Sequence, residues 1–162
     1  MCKAVDAAEY LLNRSVEING EAILSSPMIQ KLLYIAQGHA LHTQGVPLFS
    51  DNFVAWRCGP ALRIVDFVYK RNLAGLLTPS YKPGLEQHER LTLDFVFDKY
   101  IDRSLSGVDL RDNLKNITRN SAPWKDIYED GVEHVINNEE IRRWYSELFG
   151  RNVTCILSEN AG

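Results

Sequence analysis

The segment from Ser25 to Gly45 carries signals for both ends of one helix and constrains the fold more than any other part of the chain. Ser25 and Ser26 offer N-cap hydroxyls, and Pro27 suits a first turn because its missing N–H would have no partner there. Gly45 adopts the positive φ of a helix C-terminus at little cost. We predict an amphipathic helix from Pro27 to about Gln44, with an apolar stripe of Ile29, Leu32, Leu33, Ala36 and Ala40.

Several polar side chains of this helix lie off the apolar stripe. A helix that packs one face on a core leaves its polar face in water. His39 and His42 share a face near the end of the helix and are expected to be partly exposed. We expect solvation of four further side chains: Gln30, Lys31, Gln37 and Gln44.

Shorter patterns predict the neighbouring elements. An apolar stripe over residues 5–12 indicates a short first helix that ends before Asn19-Gly20. Phe53 to Cys58 is rich in β-formers and predicts a short strand, which Gly59-Pro60 should stop. The helical period then returns over residues 62–71.

The second half of the chain begins with a predicted break in regular structure, because residues 75–89 are rich in proline and glycine and favour a long loop or an extended, β-like connection. An apolar stripe over residues 93–101 predicts the next helix. Ser106 and Asp109 resemble a capping box and should start another. Two elements follow: a turn of helix from Pro123-Trp124, and a final helix capped by Asn138 and closed by Gly150.

These patterns predict a mainly α fold, a compact bundle of about six helices with one or two short β-strands. Strand alternation is too scarce for an α/β sheet. The chain has 162 residues, of which 45% are hydrophobic, so it can bury a core as one domain. We expect that domain to cover residues 1–150, followed by a polar tail over residues 151–162.

The charge of the chain argues against general nucleic-acid binding, which needs a basic surplus that a net charge of -3 does not supply. Residues 25–75 carry a local surplus of +3, which is compatible with an acidic partner or with simple solvation. Nucleic-acid binding through this block is kept as an alternative. No stretch reaches the roughly 20 apolar residues of a membrane span, and Met1 to Leu12 lacks a signal-peptide pattern. We therefore expect a cytoplasmic protein without membrane contact.

Residue types for catalysis and metal binding are present, but their spacing favours neither. His39 and His42 would need a third ligand, and the next histidine, His88, lies in a predicted loop. Cys58 follows Arg57, a cation that could activate a thiolate, but burial as a small residue in a strand is the simpler interpretation. We predict no enzyme, with no catalytic, cofactor or metal site; a hydrolase or metal enzyme built on these residues is the alternative.

Four short motifs occur in the same order as in one known family. Residues 27–38 read P-M-I-Q-K-L-L-Y-I-A-Q-G and resemble the opening helix of the Panacea (SocA-like) antitoxins, K-L-Q-K-L-L-Y-Y-A-Q-G-W. Residues 45–49 resemble the family's G-x-P-L-F turn, and residues 55–60 resemble its A-W-x-x-G-P motif. Residues 121–124 resemble its S-P-W motif with one insertion, and residues 136–145 resemble its ending.

The resemblance implies a protein that acts by contact. Members of this family bind and neutralise a toxin encoded beside them, and in one branch deliver it to a Clp-type protease. For this chain the resemblance implies an antitoxin whose partner is a cognate protein toxin from an adjacent gene. The alternative is a proteolytic adapter or phage-associated regulatory protein that delivers a client to a Clp-type protease.

The matched residues are mostly ones that shape the backbone. Gly38 would permit close helix packing, and Gly59-Pro60 would turn the chain. Two departures stand out: His39-Ala40 occupies the family's Trp-His position, and Cys58 replaces a Tyr. We predict a family-motif scaffold, with candidate partner-binding roles, formed by Gln30, Lys31, Tyr34, Gln37, Gly38, Trp56, Arg57, Gly59, Pro60, Pro123 and Trp124.

Overall fold

One long helix, α2 (Ser26–Gln44), forms the centre of the fold. The computed structural model describes residues 1–20, 24–71, 84–101, 105–119 and 122–148. Around α2 lie the other helices, α1 (Ala4–Asn19), α3 (Arg63–Arg71), α4 (Gln87–Tyr100), α5 (Gly107–Thr118), α6 (Trp124–Ile127) and α7 (residues 138–148). The strands are β1 (Phe53–Trp56), β2 (Gly59–Ala61) and β3 (Val135–Ile136).

Helix α2 is buried on most of its circumference because α1, α3, α4, α5 and β2 all pack against it. The predicted apolar stripe faces the core, and Ile29, Leu32 and Leu33 are completely buried. Gly45 ends the helix with a φ of 71°, and its N–H bonds to the Leu41 carbonyl. The helix begins at Ser26, one residue before the predicted Pro27, and Ser25 takes the N-cap position, although its hydroxyl makes no cap hydrogen bond.

The three strands form one antiparallel sheet in the order β2-β1-β3. In the β1–β2 hairpin Ala55 lies opposite Pro60, and Phe53 in β1 lies opposite Ile136 in β3. Pro60 fits here because β2 is an edge strand, whose outward side needs no N–H donor. The prediction that Gly59-Pro60 stops the strand was therefore wrong: the chain reverses at residues 57–58 and continues as β2.

Several helix ends differ from the predicted ones. Helix α1 runs through to Asn19 and is longer than the apolar pattern indicated. Helix α4 begins at Gln87, inside the predicted loop, because Glu86 and Glu89 form a capping box. Helix α7 is capped by Asn137 and not by Asn138: the Asn137 Oδ1 atom accepts from the Glu140 N–H at 2.9 Å. The predicted cap of α5 is confirmed, with the Ser106 Oγ atom accepting from the Asp109 N–H.

The mainly α prediction is confirmed, and the described residues contain seven helices and three short strands, somewhat more of each than predicted. Most of the predicted loop, residues 75–83, lies outside the described residues, as do Gly150 and the predicted tail over residues 151–162. None of the described helices is both long enough and apolar enough to cross a membrane.

Candidate interaction surface

The Gln37 side chain holds the loop after α2 in place. It is completely buried, and its Oε1 atom accepts from the N–H groups of Leu48 and Phe49 at 2.9 and 3.3 Å. Its Nε2 atom donates to the Phe49 carbonyl at 3.0 Å and to the Asn138 side chain at 3.2 Å. One amide therefore satisfies backbone groups that a loop cannot pair by itself.

Gln30 performs the same task for the end of the hairpin. Its Nε2 atom donates to the Leu62 carbonyl at 3.0 Å, and its Oε1 atom accepts from the Leu62 N–H at 2.8 Å. The predicted solvation of Gln30, Lys31 and Gln37 was wrong, because neighbouring elements cover both faces of α2. Gln44 near the helix end is exposed, as predicted.

Lys31 is buried among cations. Its side chain is 4% exposed, and its Nζ atom donates to the carbonyls of Pro27 and Cys58 at 3.3 and 3.4 Å. Burial lowers the pKa of this ammonium. The nearby Cys58 opposes that shift, and the positive charges of Arg119, Lys115 and Arg111 each add a smaller lowering.

Tyr34 and Gly38 join α2 to α7. The Tyr34 ring is completely buried and packs against Trp144, with ring centroids 4.6 Å apart. Burial raises the pKa of its phenol, and the nearby Glu140 charge adds to the effect. A Cβ on Gly38 would lie 2.8 Å from the Tyr145 Cβ, so only glycine permits this approach of the two helices.

The hairpin turn presents the exposed part of the motif. Arg57 and Cys58 are exposed at the turn, and Gly59 follows with a φ of 120°, which disfavours any other residue. The expectation that Cys58 is a buried strand residue was wrong, because the turn places it outside the sheet. The Trp56 ring is half-buried, and its indole N–H donates to Glu133 at 2.8 Å.

The segment at Pro123-Trp124 lies against this hairpin. The Ala122-Pro123 peptide bond is cis, and the Trp124 indole donates to the Trp56 carbonyl at 2.7 Å. The Trp124 ring stacks on Tyr128 with centroids 4.8 Å apart, and the Arg119 guanidinium lies 5.3 Å from the Trp124 centroid. Two motifs that lie more than sixty residues apart in the sequence are therefore in contact. Together they form one corner of the molecule.

A groove of about 510 Å³ opens beside this corner, between the end of α5 and the start of α6. We call it the cationic groove; its lining residues are Lys115, Asn116, Arg119, Trp124 and Lys125. Apart from Trp124, sequence reasoning missed these residues. Their signal in the sequence is short, because residues 115–125 contain three cations and no carboxylate.

The predicted site residues form part of the interior more than of the surface. Arg57 is exposed and Trp56 is half-buried. Buried positions hold the other residues of the set, Gln30, Lys31, Tyr34, Gln37, Gly38, Gly59, Pro60, Pro123 and Trp124. Their role in partner binding remains a prediction, and any direct contact would have to use the hairpin turn or surfaces that these residues support.

Candidate metal ligands and nucleophiles have internal partners. The His39 Nδ1 atom hydrogen-bonds to the Tyr145 hydroxyl at 2.9 Å, and the His42 Nδ1 atom to the Ser146 hydroxyl at 2.7 Å. Both rings are half-buried, consistent with the predicted partial exposure. Ligand atoms of Glu86, His88 and Glu89 lie within 4.8 Å of one another, but the capping box of α4 accounts for the two glutamates.

Comparison with known proteins finds one relationship. No curated protein and no solved structure matches the chain. A family model described as "Antitoxin SocA-like, Panacea domain" matches residues 29–125, which is more than half of the chain and runs from α2 to α6. The buried amides, the hairpin and Trp124 all lie within that match. The chain therefore belongs to the family of SocA-like antitoxins with a Panacea domain.

Proposed function

We propose that this protein is an antitoxin that neutralises a cognate toxin by direct protein–protein contact. The observation that carries the proposal is its membership of the SocA-like antitoxin family, with the match over residues 29–125. The proposal includes a toxin encoded by an adjacent gene, a cytoplasmic site of action, and neutralisation without catalysis.

The hydrogen bonds of the motif support a rigid platform for such contact. Gln30 and Gln37 anchor the backbone on either side of the hairpin, and Trp124 anchors its turn through the Trp56 carbonyl. A surface that is ordered before binding loses less conformational entropy when the partner docks. The exposed Arg57 at the tip of this platform is the type of residue that is enriched in interface hot spots.

The Cys2 thiol has a structural position in the core. Burial raises the pKa of this thiol to about 12, with a further contribution from the charge of Glu89. Its Sγ atom donates to the Leu48 carbonyl at 3.4 Å. A thiol in this state is protonated at neutral pH and is a poor nucleophile.

The test is expression of the adjacent gene alone and together with this chain. We expect arrested growth from the neighbour alone and normal growth from the pair, with copurification of the two proteins. A neighbour that is harmless alone, or one that stays equally toxic in the presence of this chain, would contradict the proposal.

A pulse-chase measurement separates the two ways of neutralising. If the antitoxin acts by occlusion, the half-life of the toxin does not change when the antitoxin is present. A shorter half-life that depends on a Clp-type protease would instead identify the chain as a proteolytic adapter.

A further inference from the structure

The cationic groove is lined by three positively charged side chains and by a tryptophan that a hydrogen bond holds in place. Lys115 and Arg119 come from the end of α5, and Lys125 comes from the first turn of α6. Trp124 between them is buried and cannot swing away, because its indole N–H is bonded to the Trp56 carbonyl at 2.7 Å. The groove therefore offers three cations around an apolar ring.

The cations of the groove differ from several other surface cations in their ion pairing. Within the described residues, Lys115, Arg119 and Lys125 form no ion pair. Cations on other surfaces do have carboxylate partners: Arg14 with Asp98, Arg63 with Glu133, Lys70 with Asp66 and Arg142 with Glu139. The charge of the groove is thus available to a ligand.

Lys31 adds a buried positive charge near two of these cations. Its ammonium is buried, within electrostatic range of Lys115 and Arg119, and it pairs with backbone carbonyls and with no described carboxylate. Burying a cation beside two others costs free energy unless a negative charge compensates. A ligand carboxylate in the groove would offset the repulsion among the cations that line it.

The surroundings favour a short acidic segment of a protein over a nucleic acid. Carboxylates flank the corner: Asp130 accepts from the Tyr128 hydroxyl at 3.1 Å, and Asp126 lies in α6 beside Lys125. A nucleic-acid backbone would need a continuous basic face, and the chain as a whole carries a net charge of -3.

We propose that the cationic groove is the docking site for an acidic segment of the partner protein, with carboxylates between Lys115, Arg119 and Lys125. This inference rests on the proposed function, because it takes the partner to be the toxin. Guanidinium and ammonium groups bind carboxylates through charge-assisted hydrogen bonds, the strongest that side chains form.

The first test is fluorescence polarisation with a labelled peptide of alternating glutamate and alanine. Its glutamine counterpart and a thymidine oligonucleotide serve as comparison probes. We expect binding of the acidic peptide that weakens with added salt, and a loss of about tenfold or more in the double variant Lys115→Glu/Lys125→Glu. The matched control, Lys70→Glu/Arg142→Glu, makes the same change of charge at paired surface cations and should bind as the wild type does.

Equal binding by both double variants would overturn the inference, as would an oligonucleotide that binds more tightly than the acidic peptide and displaces it. The second outcome would identify a nucleic-acid surface. Far-ultraviolet circular dichroism and the melting temperature check that both double variants are folded.

Co-expression with the toxin separates this inference from the proposed function. We expect the wild type and the control variant to protect growth and the groove variant to fail while folded. If both double variants protect equally, the groove inference is wrong and the antitoxin proposal stands. If the wild type gives no protection, the proposed function itself fails.

Discussion

A glutamine side chain can replace a stretch of backbone, and this protein uses two in that way. The amide has a donor and an acceptor side by side, as a peptide group has, so it can pair with both groups of a residue that no strand reaches. Gln30 does this for Leu62, and Gln37 does it for Phe49. Both side chains are buried, so water cannot take over their hydrogen bonds unless the loop moves.

Replacement of Gln37 by leucine should destabilise the protein by about 2 kcal/mol or more, because buried N–H groups of Leu48 and Phe49 lose their acceptor. Urea denaturation measures the change. The same substitution at Gln87, an exposed residue in the first turn of α4, is the control and should cost less than about 0.5 kcal/mol. Similar midpoints for the two variants would show that the loop finds other partners and would contradict the expected role.

At the residue scale, the sequence predicted the apolar core positions of α2 but misplaced its polar ones. The periodic pattern assumes that one face of the helix is exposed to solvent. That assumption fails for a helix that packs against five other elements. The uncharged amides at Gln30 and Gln37 were a usable signal, since amides can be satisfied by backbone where charges are costly. Lys31 gave no such signal, because lysines are rarely buried.

At the element scale, a side-chain cap fixes the start of α7. The helix places Trp144 and Tyr145 against α2. It begins at residue 138, shortly after the end of β3. The Asn137 side chain accepts from the Glu140 N–H, and the Glu140 carboxylate accepts from the Asn137 N–H at 3.2 Å. This reciprocal pair is a capping box, and it defines the point where the chain turns from strand into helix.

Substitution of Asn137 by alanine should cost about 1 kcal/mol, the usual value of an N-cap side chain. Chemical denaturation followed by circular dichroism measures it. Asn113→Ala, at an exposed position inside α5, is the control and should be neutral or slightly stabilising because alanine is the better helix former. An equal effect of both substitutions would mean that the Asn137 cap does not stabilise α7.

Elements with local signals were predictable, and elements that depend on tertiary pairing were not. Helices α2 and α5 carry their own caps and apolar stripes, so the pattern located both. The β1–β2 hairpin was not predicted, because Gly59-Pro60 has the composition of a strand terminator. Pro60 is acceptable in β2 only because β2 lies at the edge of the sheet. Strand β3 has two residues and no periodicity to detect.

At the scale of the whole molecule, the choice of sequence window decided which basic region was predicted. None of the residues that line the cationic groove belongs to residues 25–75, the block with a surplus of +3. The lining cations come from residues 115–125, in the part of the chain with net negative charge. That segment contains three cations and no carboxylate, so a shorter window would have located it.

The stability of the protein should depend on pH because of one buried carboxyl group, that of Glu9 in α1. Burial raises the pKa of this group to about 7 from an ordinary value of 4.5, and the charge of Asp6 contributes. Between these two values the folded protein keeps a proton that the unfolded chain has released. The free energy of unfolding should therefore fall as the pH rises through this window, by on the order of 2–3 kcal/mol in total.

The difference between wild type and Glu9→Gln isolates this effect from the other titrating groups. A glutamine has nearly the same shape and no proton to lose, so the variant should gain stability relative to wild type as the pH rises from about 5 to about 8. Urea denaturation across that range measures the gain, and Glu17→Gln, at an exposed position of the same helix, should follow the wild type. A constant difference between Glu9→Gln and wild type at every pH would show that Glu9 is ionised in the folded protein throughout, which its burial at 5% exposure makes unfavourable.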